Sequence, residues 1–316
     1  MWTIIIGILV GASVPVQTGI NNQLKKYLNS TVIATAVSFT IGTIFLFIAY
    51  FLTSQSLKIN VNSLNNQPWW IYLGGILGIF YPFGTIILFP HLGSTQTVIL
   101  PIFGQILMGL LTDNFGWFGL PIHSFTFIRF IGVILIIIGL ILFIRSQNHS
   151  DLVKRVSYKT DTRLSLKKLS WQLSGILIGI LEASQVTING RLNVVLHSPL
   201  KAGIISFAIS ALILWIFTLG QKISFHRNHY FQINNPRWWI WLGGLLGGII
   251  IIGNAYLAPI IGTALSVVLV MLGMLIGGLL IDNYGWLKAK KRPITLVKTL
   301  GILVMLGGIC LIKFLN

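Results

Sequence analysis

Long apolar runs separated by short polar breaks dominate the chain, and from Ile59 to Thr112 there is no Lys, Arg, Asp or Glu. A helix needs roughly 20 apolar residues to cross about 30 Å of hydrocarbon. Lipid offers backbone N–H and C=O groups no partner, so each run is expected to be helical. This ruler predicts ten spans, near 2–22, 31–52, 69–89, 93–112, 127–145, 171–190, 201–220, 238–258, 261–281 and 295–313. The first is read as retained structure, not a secretory signal, because it lacks a basic leader and its counterpart at 171–192 lies mid-chain. Composition points the same way: 55% of residues are hydrophobic and 9% charged, against about 25% charged in a typical soluble domain. The expected class is an all-α membrane protein.

The polar breaks repeat. Asp113-Asn-Phe-Gly-Trp117 returns 169 residues later as Asp282-Asn-Tyr-Gly-Trp286, and Trp69-Trp70, Gly74-Gly75, Pro90, Gly93 and Gly104 return at the same spacing. Upstream the register is 168: Gly7, Gly11, Gln17, Asn21 and Leu24 map onto Gly175, Gly179, Gln185, Asn189 and Leu192, and Ser38-Phe39 onto Ser206-Phe207. A period this long is a duplicated half-protein, not a solenoid. The predicted organisation is a first five-helix repeat at 1–145, a basic linker at 146–170 and a second five-helix repeat at 171–316. Five is odd, so tandem copies enter the membrane in opposite senses, as inverted repeats.

Charge fits that inversion. The formal net charge is +17, and 17 of the 22 Lys and Arg flank the odd-to-even loops. The other face holds Lys58, Arg129, Arg191, Lys201 and Lys313. The positive-inside rule makes the rich face cytoplasmic, with both termini outside. Only the second copy of the repeated turn is followed by a basic cluster, Lys288, Lys290, Lys291 and Arg292, so the two copies lie on opposite sides. A distribution this ordinary for membrane proteins removes nucleic acid as a partner. The linker, with Lys154, Arg155, Lys159, Arg163, Lys167 and Lys168, is expected to be cytoplasmic and mobile beside anionic headgroups.

Ten spans in two inverted halves resemble the drug/metabolite transporter superfamily. The Gly-x-x-x-Gly to Gln and Ile-Asn opening of each half, with the Asp-Asn-aromatic-Gly-Trp turn, is similar to its YdcZ-type branch, in the fused two-half form. The resemblance implies a bundle whose spans 1, 3, 4, 6, 8 and 9 surround a cavity open to alternating sides, in a bacterial plasma (inner) membrane. Its small multidrug relatives use a Glu in the first helix. Glu182 lies in the first span of its half, but Val14 stands at the matching place in span 1, so the symmetric pair of carboxylates is missing.

Glu182 is the only acidic residue well inside a span. Burying a carboxylate in the bilayer is expensive, so such a group is expected to face a wet cavity and exchange a proton. At about 100° per residue, Gln185 and Asn189 fall within about 60° of it, and Gln17 and Asn21 form the matching stripe of span 1. Tyr81, Gln105 and Asn254 join them as cavity candidates in spans the resemblance assigns to the cavity; Gln96 and Gln105 lie on opposite faces of span 4. The alternative for Glu182 is a protonated interhelical hydrogen bond with no part in turnover. Asp113, Asn114, Asp282 and Asn283 are read as interfacial turns, since Asp, Asn and Gly favour turns and Trp anchors at headgroup level, with a gating role for Asp113 and Asp282 as the alternative. Repeated Gly-x-x-x-Gly pairs are read as close helix packing, with sliding of the same seams as the alternative. Pro15, Pro82, Pro90, Pro101 and Pro259 are read as kinks fitting a curved bundle, with kinks that shape a binding site as the alternative.

No Walker-type phosphate loop and no His-Glu-x-x-His pair appears, and the single Cys310 excludes a disulfide framework. No cofactor, no metal and no enzymatic activity are expected. The reading is a secondary active transporter, in the exporting direction, of a small organic solute by alternating access coupled to protons through Glu182. A passive channel and a non-transporting membrane scaffold are the alternatives, and monomer and homodimer stay equally open.

Overall fold

A computed structural model describes residues 2–53, 67–124, 126–148, 162–220, 237–286 and 294–314. Linker residues 149–161, the cluster Lys288, Lys290, Lys291 and Arg292, and the side chains of Pro90, Gln96 and Asp282 lie outside the described residues. Nine α-helices are present among those described: α1 Trp2–Leu28, α2 Thr31–Thr53, α3 Leu73–Phe115, α4 Phe127–Asn148, α5 Thr162–Leu196, α6 Pro199–Gly220, α7 Gly243–Ile261, α8 Thr263–Tyr284 and α9 Leu296–Phe314. Five of the helical stretches are long and apolar enough to cross a bilayer: Trp2–Leu28, Thr31–Thr53, Pro199–Gly220, Trp238–Ile261 and Thr263–Ile281.

The third and fourth expected spans fall in one element, α3, of 43 residues. It is not a straight rod. A Cβ built on Gly175 would lie 3.0 Å from Leu100 Cβ and 3.5 Å from Leu88 Cδ1, although twelve residues of straight helix extend about 18 Å. The chain therefore bends sharply between Leu88 and Leu100. In the later copy the corresponding change of direction is an outright break at Gly262, with φ 84° and ψ 157°. Helix α5 also departs from expectation, starting at Thr162 inside the expected linker; residues 162–170 contain no Gly or Pro to stop a helix.

Repeated sequence produces repeated helix ends. Gly116 (φ 61°) and Gly285 (φ 69°) close α3 and α8 in the left-handed region, donating their N–H groups to Thr112 O and Ile281 O. This is why the repeated turn carries Gly, which alone enters that region without a Cβ penalty. Asn29 and His197, both at φ 49°, end α1 and α5. Ser30 and Ser198 then cap α2 and α6: Ser30 Oγ accepts from Ile33 N–H and Ser198 Oγ from Lys201 N–H, each at 3.3 Å. Thr126 and Thr295 do the same for α4 and α9, at 3.3 and 3.4 Å.

Packing contacts come in matching pairs as well. A methyl on Gly7 of α1 would lie 2.8 Å from Leu269 Cβ, as one on Gly175 of α5 would approach Leu100; Gly11 presses on the Val270 carbonyl and Gly179 on that of Pro101. Thus α1 lies against α7 and α8, and α5 against α3. The first helix of each half beds on helices of the other. Helices α4 and α9 cross antiparallel: a Cβ on Gly132 would lie 2.8 Å from Gly308 O, and one on Gly139 2.5 Å from Gly301 O. Phe39 of α2 and its repeat mate Phe207 of α6 meet edge-on, ring centres 4.8 Å apart, and farther along the same pair Lys201 Nζ lies 5.6 Å over the Tyr50 ring. Small residues let backbones approach where lipid removes any hydrophobic drive between helices.

Candidate functional site

Each polar stripe of the first helices lies against a glycine pair on a helix of the opposite half. On α5, the Asn189 Oδ1 sits where a Cβ of Gly74 would be, and Gln185 Nε2 takes the corresponding place at Gly78. On α1, Asn21 Oδ1 sits against Gly243, and Gln17 Nε2 would lie 2.6 Å from a Cβ on Gly247. Amide and glycine are both spaced four residues apart, so one helical turn carries both pairs in register. The glycines are therefore seats for side chains, in addition to allowing backbone contact. The packing role of Gly74/Gly78 and Gly243/Gly247 is enlarged accordingly.

The two seams differ in state. Asn21 Oδ1 accepts a 3.3 Å bond from Ser38 Oγ. Its mates Asn189 and Ser206 are 0% and 1% exposed, and neither the Asn189 amide atoms nor Ser206 Oγ finds a partner among the described residues. Glu182 continues the α5 stripe, half-buried, with Tyr81 of α3 in electrostatic reach. A carboxylate, a phenol and two amides thus line up where α5 of the second half meets α3 of the first. Gln17 and Asn21 stand on the other seam, α1 against α7, and α1 and α5 do not pack along each other among the described residues. Gln105 and Asn254 are half-buried on α3 and α7.

Asp113 differs from the expected interfacial turn. It is 3% exposed, and its carboxylate accepts from the backbone N–H of Thr263 (2.6 Å) and of Ala264 (3.0 Å). The physical reason is the break at Gly262: α8 begins with N–H groups that no preceding turn can satisfy, and inside a membrane bundle a carboxylate from α3 supplies the acceptor. Arg129 of α4, 7% exposed, lies in electrostatic reach of that carboxylate, and its Nη1 donates to His123 O at 2.6 Å. Thr263 Oγ1 in turn shares a 3.0 Å hydrogen bond with Thr187 Oγ1 of α5. Asn114 and Asn283 are half-buried, and Trp117 and Trp286 are exposed beside stacked Phe115 and Tyr284.

Arg129, Thr187 and Thr263 do not stand out in the sequence as site residues. One signal exists: Arg129 and Lys298 recur at the 169 spacing, as Asp113 and Asp282 do, and Lys298 is also buried, at 3%.

The family model described as "Putative inner membrane exporter, YdcZ" matches twice, over residues 2–142 and 170–311. The inner membrane protein YdcZ of Escherichia coli (strain K12) is 25% identical over 132 residues, which is 42% of this chain and 87% of that protein. One crystal structure superposes with a TM-score of 0.65 over 99% of this chain and 96% of its own, at 15% identity, a likeness of fold.

Proposed function

This chain belongs to the YdcZ family of inner membrane exporters in the drug/metabolite transporter superfamily, and from that premise we propose that it moves a small organic solute by proton-coupled alternating access. In this reading residues 1–145 and 171–316 are two inverted five-span halves, with the two arms of α3 as separate spans. Antiparallel mate helices support it: α4 against α9 through Gly132/Gly308 and Gly139/Gly301, and α2 against α6 through Phe39 and Phe207. Helices related by an axis along the membrane normal would run parallel instead. Both termini lie outside, and the basic linker runs along the cytoplasmic headgroups.

The observation that carries the mechanism is Glu182 on the seam between halves, in electrostatic reach of Tyr81 and on one helical stripe with Gln185 and Asn189. An ionisable group inside a membrane bundle marks a pathway by default. At this seam it meets both halves, so relative movement of the halves changes its access to water. Asn189 and Ser206, without partners among the described residues, offer hydrogen bonds to a polar solute, and an unmet buried amide favours any occupant that meets it.

The test is reconstitution in vesicles with a screen of solutes, comparing flux with and without an imposed pH gradient in wild type and Glu182→Gln. Gradient-driven flux that disappears in the variant supports the reading. Flux indifferent to the gradient removes proton coupling, and flux far beyond turnover rates makes the protein a channel.

A further inference from the structure

We infer that Asp113 is a gate residue: seated on the start of α8 beside Arg129, it holds the molecule shut on the face bearing residues 116–126 while the mate position on the opposite face stands open. The inference rests on the alternating-access reading and adds to it the parts that alternate.

The first argument is a local breach of the repeat. Gly109 of α3 is tight against α8, since a Cβ there would meet Ala264 Cα at 2.8 Å and Ala264 N at 2.9 Å. Its mate, Gly278 of α8, has nothing within 4 Å among the described residues. Elsewhere the mates are equally close: Gly11 with Gly179, Gly104 with Gly273, and Gly132 with Gly301 all press on backbone of the opposite half. The backbone contacts of these glycines are therefore alike in the two halves, and among the described residues the breach lies at Gly109, which closes on α8, while Gly278 meets nothing in return. An inverted-repeat carrier open to one side is expected to look like this.

The second argument is the chemistry of the closed end. Asp113 joins the halves through two bonds to backbone N–H groups, Thr263 and Ala264, and hydrogen bonds to a carboxylate are stronger than neutral ones. The contact is also reversible. Separation would bring water to the carboxylate and to the freed N–H groups together, so opening leaves no polar group stranded. The closed end reaches the seam through Thr263 and Thr187, whose hydroxyls are 3.0 Å apart, and Thr187 lies five residues beyond Glu182 on α5. The sequence carries an acid and a base again at Asp282 and Lys298, the charges a second latch on the opposite face requires.

The test needs no substrate. In a Cys310→Ser background, reporters are introduced singly as Ala264→Cys and Gly278→Cys, and labelled by a charged maleimide in right-side-out and inside-out vesicles. Position 264 is expected to label slowly and position 278 rapidly. Asp113→Asn, which leaves a weaker, neutral acceptor, should raise labelling at 264 about tenfold and lower it at 278. Gly109→Ala, which removes no polar group and drives α3 from α8 by contact alone, should do the same and stands in if Asp113→Asn does not fold. A rise at 264 with 278 unchanged makes Asp113 a helix cap and nothing more. No change at either position, or wild-type protection of 278 equal to that of 264, overturns the gate. Glu182→Gln flux is a separate readout, so proton coupling can fail while this reciprocity stands.

Discussion

Replacing Gly179 by Ala puts a single methyl where α5 touches the backbone of α3. The new carbon would overlap the Pro101 carbonyl oxygen and come within 2.7 Å of its carbon and 2.8 Å of Pro101 Cα. Carbon atoms rest about 3.5–4.0 Å apart, so the helices must separate by roughly an ångström along that contact. The obstacle is backbone, which cannot rotate away as a side chain does. Overpacking of this kind costs about 1–3 kcal/mol, and a kcal/mol shifts Tm by about 2–4 °C in a domain of 150–250 residues. We expect Gly179→Ala in detergent to unfold about 2–12 °C below Gly307→Ala, a control that shares its gain in helix propensity. Gly11→Ala meets the Val270 carbonyl carbon at 2.7 Å and Gly273 Cα at 2.9 Å, and should behave alike. Gly307→Ala is the control: nothing lies within 4 Å among the described residues, and Ala is the better helix former by about 0.8–1.0 kcal/mol. The assay is thermal unfolding followed by loss of the monodisperse peak in size-exclusion chromatography. Variants at Gly11 and Gly179 as stable as the Gly307 control would refute the claim that these glycines set the distance between the halves.

Other expectations concern single positions. Asn21→Ala removes the acceptor of Ser38 Oγ and should cost about 0.5–1.5 kcal/mol, whereas Asn189→Ala, whose amide bonds to nothing among the described residues, should cost less; the opposite order of Tm values rejects the difference between the seams. His197→Gly and Asn29→Gly relieve φ 49° and should raise stability by up to about 1 kcal/mol, more at His197 because Asn tolerates the left-handed region; a lower Tm in either argues against that backbone. Tags on the two termini of intact cells should both react with an impermeant reagent from outside, and protection of either one rejects the proposed orientation.

Much of the fold is readable in the sequence because the bilayer demands it. Helix positions follow from apolar run lengths, and the ends of α3 and α8 from glycines whose backbone conformation few other residues adopt. The bend in α3 reads as a short loop between two spans; its residues bend the chain while keeping helical turns. Of the Asp113 node the sequence shows only a bare gating alternative to a turn. Asp-Asn-aromatic-Gly has a sufficient local explanation as a turn, and the partners that give the carboxylate its role, Thr263 and Ala264, lie 150 residues away in the other half. Arg129 reads as a surface charge although it is buried. The seating of Gln17 and Asn21 on Gly247 and Gly243 is half visible: both pairs stand out along the chain, and their equal spacing is the clue that they fit together. Which helix meets which depends on how the halves dock, and no local pattern records that.

Because α1 beds on α7 and α8, its amides have no seat until residues more than 200 positions downstream have been made. At synthesis rates of about 5–20 residues per second, Gln17 and Asn21 wait roughly 10–45 s in the bilayer before Gly247 and Gly243 arrive. The newborn first half must survive that interval with a polar stripe unsheltered, so any factor that guards nascent membrane helices has its longest task at the very start of this chain.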